Sequence, residues 1–375
     1  MKRVISLLLL AVVTGSLVFC ALTVTAAARY RNVRPPKSAD LPPISILKPL
    51  SGVDLGLQDH LRSFFVQQYP EYEILFAVRS EEDSAIAVVE GVRAEFSSVP
   101  SRLIITGEPP YPNAKVFSLD RMVAAARYDL LVMADSDVRV TPDMLATIAA
   151  EFRDPRVGLV TCPYRAVAGP SVWSNLEAIG LNTEFLAGIL VARMLEGMKF
   201  AVGPTIAARR QTLAAIGGFD ALKDYLAEDF VMGQRAAAAG WQVVLSSYVI
   251  EHHIGSQPFA ANLRHRLRWN RSTRRSRPWG YAGRLFTNPL PVALLLVAVT
   301  PAWWPVLMAA AIFRAAAAWA TVRVLHDSLT GRLCWAVLLE DIASFALWLA
   351  AFFGGTILWR GREYTLARDG KFRPV

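Results

Sequence analysis

Leu130-Leu131-Val132-Met133-Ala134-Asp135-Ser136-Asp137 decides how this chain is read. Five apolar residues run straight into two carboxylates spaced two positions apart. An apolar run of that length predicts a buried strand, parallel if it is apolar on both faces. The ligand of an open α/β sheet sits beyond the carboxyl ends of the strands. Asp135 and Asp137 are therefore expected at the mouth of a site. Two hard oxygen ligands there suit Mg²⁺ or Mn²⁺ holding a diphosphate. A strand followed by an Asx-type turn is the plainer account, and Asp-Ser-Asp alone does not separate the two.

The residues before this stretch alternate between two periods. Ile44-Ser45-Ile46-Leu47 predicts a first strand, 57–68 a helix, and 73–79 a second strand ending at Ser80-Glu81-Glu82-Asp83. A helix is expected over 85–96, a third strand at Leu103-Ile104-Ile105, a helix over 116–127 and the fourth strand over 129–134. Strands alternating with helices of this length imply βαβ units and an open, doubly wound sheet. Beyond Asp137, Thr141 is placed as N-cap of a helix over 142–152, and 158–162 as a strand. The stretch 173–200 is apolar with scattered charges. It reads as an amphipathic helix on a membrane surface or under a cleft, not a span, with an ordinary core helix as the alternative. Ala201-Val202-Gly203-Pro204 reads as a short strand entering a tight turn, and Gly217-Gly218-Phe219-Asp220 as another turn. Ala227-Glu228-Asp229-Phe230 opens a helix, where acidic residues also serve as plain first-turn capping. The stretch 241–246 closes the sheet.

The flanks are of a different character. Of the 375 residues, 54% are hydrophobic, and the mean hydropathy is positive, which suggests membrane segments. Lys2 and Arg3 precede 4–28, which carries no charge and is long enough to span a bilayer. A cleaved signal peptide would have a shorter apolar core, so a retained helix is the preferred reading. Arg29, Arg31, Arg34 and Lys37 follow it, which favours a cytoplasmic domain after the span. Pro35-Pro36 and Pro42-Pro43 mark a linker. From 285 to 325 the only charges are Arg314 and Arg323, and Pro301 and Pro305 split the run. A further span is expected over 333–359, with Glu340 and Asp341 inside it, giving two or three C-terminal spans and then a basic tail. The expected division is a transmembrane helix at 4–28, a catalytic domain at 40–280, a membrane region at 285–359 and a tail at 360–375.

The formal charge of +9 suits an anionic partner: nucleic acid, an anionic membrane surface or a phosphorylated substrate. The arginines of 264–277 supply much of it. An apolar tail follows them at once, so a juxtamembrane or substrate role is preferred and no nucleic-acid partner is expected. Cys20, Cys162 and Cys334 are far apart and odd in number, which excludes a disulfide framework or a zinc site built on cysteines.

Taken in order, the carboxylates Glu81-Glu82-Asp83, Asp135-Ser136-Asp137 and Glu228-Asp229 precede His265-Arg266-Leu267-Arg268-Trp269 and the apolar tail. This order resembles a family 2 glycosyltransferase of the GT-A fold. The resemblance extends to the ceramide glucosyltransferase-like and hopanoid-biosynthesis-associated members, through Ile46-Leu47-Lys48-Pro49-Leu50-Ser51-Gly52-Val53-Asp54, Asp135-Ser136-Asp137-Val138-Arg139-Val140 and Ala227-Glu228-Asp229. It covers about residues 44–280. It implies an α/β fold, a GT-A (Rossmann-like mixed sheet) catalytic domain flanked by transmembrane helices. By the same resemblance, Asp83 and Glu82 are the candidates for contact with the nucleotide. Asp135 and Asp137 match the metal and diphosphate motif, and Asp229 the catalytic base. Arg268 and Trp269 match the end of a Gln/Arg-x-x-Arg-Trp motif, whose first position falls here on His265. Lys48 and Lys115 are further candidates to approach the diphosphate, and His252-His253 are given a turn or packing role.

The implied enzyme is an integral membrane glycosyltransferase with a cytoplasmic catalytic domain, in a bacterial inner membrane. It would use Mg²⁺ or Mn²⁺ and a UDP-sugar, first choice UDP-N-acetylglucosamine. Its acceptor would be a membrane lipid hydroxyl, first choice a hopanoid polyol. Ceramide glucosylation, polysaccharide synthesis and a non-catalytic anionic-lipid-binding protein are the alternatives.

Overall fold

The computed structural model describes residues 1–35, 41–359 and 362–375. Pro36 and Lys37 of the expected linker, position 40 and Arg360 of the expected tail lie outside the described residues. Two compact units emerge. One comprises residues 34–164, 198–255 and 370–375, and the other 1–33, 165–197 and 256–369. The stretches 165–197 and 256–280, placed by the sequence reading inside one continuous catalytic block, thus belong to the second unit.

The strands up to residue 254, in chain order, are β1 (Ile44–Pro49), β2 (Tyr72–Val78), β3 (Ser101–Ile105), β4 (Leu130–Ala134), β5 (Val138–Arg139), β6 (Val157–Thr161), β7 (Tyr164–Ala168), β8 (Thr205–Arg209), β9 (Gln242–Leu245) and β10 (Ile250–Ile254), and all but β7 lie wholly in the first unit. Seven of them form one sheet in the order β3-β2-β1-β4-β8-β6-β9. β1 lies parallel to both β2 and β4, with Ile44 opposite Leu130 and Leu47 opposite Met133. All of β4 and all of β2 are buried, which is why both read as unbroken apolar runs. Helices Leu57–Phe65, Ala85–Glu95 and Ala114–Ala125 make the crossovers. Leu47, Leu75, Leu131, Leu119, Met122 and Met232 meet in the core. Each such side chain, fully buried, contributes about 1.5–3 kcal/mol.

The sheet departs from all-parallel winding at β8, which runs antiparallel to both β4 and β6. The strand expected at 201–204 starts later, at Thr205, because Gly203 and Pro204 form the turn that reverses the chain. A two-residue pairing of β5 with β10 sets His252 opposite Val138 and Glu251 opposite Arg139.

The second unit is helical. Lys2–Arg31 and Pro301–Leu325 are long and apolar enough to cross a membrane, and so is the pair Pro278–Phe286 and Pro289–Val299 if its 55° bend is part of one span. The run Val172–Glu196 meets the same criteria, although the sequence reading took it as a helix on a membrane surface or under a cleft, or a core helix, and not as a span. It contains a π-helical turn, Leu181–Phe185. The span expected over 333–359 is not one helix. Helix Ala336–Ala350 ends before a turn through Gly354, whose φ of +83° an L side chain would resist. Thr356–Trp359 then pairs antiparallel with Arg362–Leu366. Arg314 accordingly finds Asp341 across the bundle at 2.7–3.0 Å, with Thr183 at 3.0 Å. The two intramembrane acids of the sequence reading are thus both paired, Glu340 meeting Arg266.

Candidate active site

β4 delivers Asp135 and Asp137 at its carboxyl end, as parallel-sheet geometry requires. The backbone around Asp135 is held from two sides. Its N–H donates to Pro204 O at 3.0 Å, and its C=O accepts from Lys48 Nζ. Lys48 is wholly buried on β1, with its ammonium 4.0 Å from the Phe64 ring centre. Burial pulls its pKa down to about 7 against the opposing pull of Asp135 and Asp137.

Lys115 is the central cation. It sits in the first turn of helix Ala114–Ala125, where the helix dipole disfavours positive charge. Two carboxylates offset that: Asp135 Oδ1 at 2.7 Å and Glu228 Oε1 at 3.2 Å. Burial by itself would lower the Lys115 pKa, but these acids raise it above the ordinary lysine value. Asn113 caps the same helix by accepting from Val116 N at 3.1 Å and donates to Tyr225 O at 2.8 Å. The starts of helices Ala114–Ala125 and Glu228–Ala238 are thereby tied together.

Asp229 lies in the first turn of helix Glu228–Ala238 and lines one cleft with Asp135, Lys115, Gly203 and Glu228. Gly203 makes that possible. A Cβ there would stand 2.7 Å from Asp229 Oδ2, too close for any ordinary contact. Burial, reinforced by Glu228, lifts the Asp229 pKa from 3.8 to about 7 while Lys115 pulls the other way.

Asp137 has a different partner. His252 Nε2 lies 3.1 Å from Asp137 Oδ2, and the Tyr164 ring meets the imidazole edge-on at 5.2 Å. Burial would raise the Asp137 pKa, but His252, Lys48 and Lys115 together hold it at about 2. The packing role given to His252-His253 is therefore incomplete: His252 orients a site carboxylate, and His253 N donates to Asp137 O at 2.8 Å.

Asp137 Oδ1 is buried and has no hydrogen-bond partner among the described residues. A buried carboxylate oxygen left over in this way fits a cation. Among the described residues no three His, Cys, Asp or Glu side chains are grouped to hold a metal ion alone. A divalent ion here would take Asp135 and Asp137 and complete its shell with phosphate oxygens and water, the usual habit of Mg²⁺.

The remaining expected residues fall elsewhere. Asp83 Oδ1 accepts from Gly52 N and Ala85 N, both at 2.9 Å, tying the loop after β1 to the start of helix Ala85–Glu95. Glu82 is exposed beside it. Arg268 and Trp269 belong to helix Phe259–Ser276 of the helical unit. There the His265 ring meets Trp269 edge-on at 5.4 Å, and its Nδ1 lies 3.5 Å from Glu177. Gly203, Glu228 and His252 are the site residues that sequence reasoning left without a chemical role. The only prior signal for Gly203 was the Gly-Pro turn itself.

The solved mannosyltransferase from Pyrobaculum calidifontis, in complex with GDP-Man and Mn²⁺, superposes with a TM-score of 0.57 over 94% of this chain and 98% of that one, at 19% identity. That likeness places the chain in the GT-A fold. Ceramide glucosyltransferase 1 of Caenorhabditis elegans is 29% identical over 210 residues, 56% of this chain and 45% of the relative. Ceramide glucosyltransferase 3 of the same organism is 26% identical over 267 residues, 70% of this chain and 58% of the relative. The chain thus spans about half the length of these curated relatives. The Glycosyl transferase family 21 profile matches residues 6–372, nearly the whole sequence, and the chain belongs to that family.

Proposed function

We propose that this protein is a membrane glycosyltransferase that moves a sugar from a nucleoside-diphosphate sugar to a lipid hydroxyl with inversion. The observation that carries this is Asp229: a carboxylate raised to about 7, backed by a glycine, on the same cleft as Asp135 and Lys115. A base with a pKa near the working pH suits removal of a hydroxyl proton. Asp229 would take the acceptor proton as the hydroxyl oxygen attacks the anomeric carbon. Lys115 would offer its ammonium to the leaving diphosphate. His252 would hold Asp137 in its rotamer. Bound at Asp135 and Asp137, a Mg²⁺ or Mn²⁺ ion would neutralise charge developing on the diphosphate. Asp83 and Glu82 remain the proposed nucleotide contacts. Arg268, as a planar fork for phosphate, and Trp269, as a stacking face, remain proposals by motif.

For the donor we retain a UDP-sugar. The names of the relatives favour glucose and ceramide, whereas the motif resemblance favours N-acetylglucosamine and a hopanoid polyol. The deciding experiment supplies purified protein with radiolabelled UDP-glucose or UDP-N-acetylglucosamine and, separately, ceramide, hopanoid polyol and diacylglycerol. One labelled lipid, formed with Mg²⁺ or Mn²⁺ and lost in excess EDTA, is expected. Full transfer in EDTA would remove the cation from the proposal. Intact donor with every lipid would sink lipid glycosylation itself. A catalytic domain on the cytoplasmic side of a bacterial inner membrane is part of the same proposal, supported by the basic flank after the first apolar helix.

A further inference from the structure

Four arginines of the helical unit meet a carboxylate. Arg266 meets Glu340, Arg277 meets Glu196, Arg284 meets Glu184 and Arg314 meets Asp341. Arg271, Arg274 and Arg275 break that pattern. They project from helix Phe259–Ser276 onto the turn after helix Ala336–Ala350, where among the described residues no acid pairs with them. Arg271 donates to Thr356 O at 2.7 Å and Phe353 O at 3.2 Å. Arg274 donates to Phe352 O at 2.6 Å and Gly354 O at 3.0 Å. Arg275 reaches the same turn, where a Cβ on Gly355 would lie 3.7 Å from its Nη2, and makes no hydrogen bond among the described residues. The Nε of each of the three is also buried without a partner.

Carbonyl dipoles orient guanidinium forks but do not cancel three whole charges. Burial and the adjacent Arg275 and Arg271 charges depress the Arg274 pKa, as expected of cations crowded without a counter-ion. Exposed aromatic side chains lie on the same turn, Phe352 at 42% and Phe353 at 71% exposure, with the Arg274 guanidinium 6.0 Å from the Phe352 ring centre. Basic and aromatic side chains side by side at the ends of apolar helices are the composition of a membrane's headgroup layer.

We propose that Arg271, Arg274 and Arg275, held around the 352–356 turn, form a binding site for the phosphodiester of an anionic phospholipid, separate from the donor site. Arg271 and Arg274 are fixed by the carbonyls, and Arg275 supplies the free fork. The source of the phosphate is a headgroup and not free phosphate, because the flanking aromatic faces have nothing to offer an inorganic ion. This rests on the reading that the helical unit is embedded in a bilayer.

The test uses the full chain, since Arg271 and Arg274 also brace a turn and their loss could unfold it. Wild type, Arg275→Gln, Arg275→Lys and the exposed control Arg323→Gln are reconstituted with phosphatidylcholine plus phosphatidylglycerol. Bound phosphatidylglycerol is counted by native mass spectrometry during detergent exchange. Wild type and Arg323→Gln are expected to retain it. Arg275→Gln should retain it about tenfold less well, and Arg275→Lys should recover part of the loss. Equal retention by wild type and Arg275→Gln would overturn the site. Displacement of the lipid by low-millimolar inorganic phosphate would overturn the headgroup assignment. Insertion into pure phosphatidylcholine vesicles, read by flotation, checks the bilayer reading separately. Its failure would overturn the embedding while phosphate binding by the soluble protein still tested the arginines.

Discussion

Asp229 is where the chemistry is most exposed to a single change. On the proposed mechanism Asp229→Asn keeps the shape and removes only the proton acceptor, so transfer should fall by about 10²–10⁴-fold with donor binding retained. Isothermal titration with the nucleotide sugar, beside turnover, checks both halves; transfer within a few-fold of wild type would remove Asp229 from the mechanism. In wild type kcat should climb as pH rises through about 7 and level off above it, because only the ionised carboxylate accepts a proton. The same group has a stability signature of opposite sense. Its folded pKa is raised, so between 3.8 and about 7 the unfolded chain releases the proton first and stability falls as pH rises. Above 7 the loss is complete. It amounts to three pH units at about 1.36 kcal/mol each, at most about 4 kcal/mol. Asp229→Asn is therefore expected to melt higher than wild type at pH 8 and nearly level with it at pH 4. Gly203→Ala probes the same carboxylate from behind. The added methyl, 2.7 Å from Asp229 Oδ2, should push it off line and lower kcat about 10–100-fold with a smaller change in donor KM. Unchanged kcat would show that the carboxylate has room to move.

Among elements, β1 to β4 could be read directly, because each is an apolar run that ends at a change of period; β1, β2 and β4 are buried along nearly their whole length, while β3 is only half-buried. The acidic strand ends followed from that, and so did Asp135 and Asp137. Three features could not be read. The 333–359 run looked like one span because apolar composition does not separate a helix from the short strand Thr356–Trp359 that follows it. His252 could not be joined to Asp137 across 115 positions without the β5–β10 pairing. Lys115 was a candidate to approach the diphosphate, but its pairing with Asp135 and Glu228 could not be read until two helix starts and a strand end were brought around it. Buried charge in the helical unit makes its own prediction. Arg314→Met would strand Asp341 without its guanidinium and should destabilise the protein by about 3–5 kcal/mol. Adding Asp341→Leu should restore most of that, as read by thermal unfolding in detergent. A single mutant as stable as wild type would mean that Asp341 is neutralised by other means.

At the scale of the whole molecule, the first apolar helix is bound into a packed core. Val13 is buried with Leu290, Val292, Ala293 and Ala310, while Leu9, Val12 and Leu17 pack against that cluster. Ser6 Oγ also lies 2.9 Å from Thr300 Oγ1. A lone anchor would make no such contacts, since its apolar surface would face lipid all round. Removing residues 1–31 should therefore have two separable consequences. The protein should remain in the membrane, because Val172–Glu196 and Pro301–Leu325 are still long and apolar enough to span it. Its stability should drop by several kcal/mol, since the deletion strips one wall from a packed cluster and opens a cavity too large to close. Carbonate extraction reads the first consequence and thermal unfolding in detergent the second. Release into the carbonate supernatant would make Lys2–Arg31 the sole anchor, and an unshifted melting temperature would make its packing against Leu290 and Ala310 incidental.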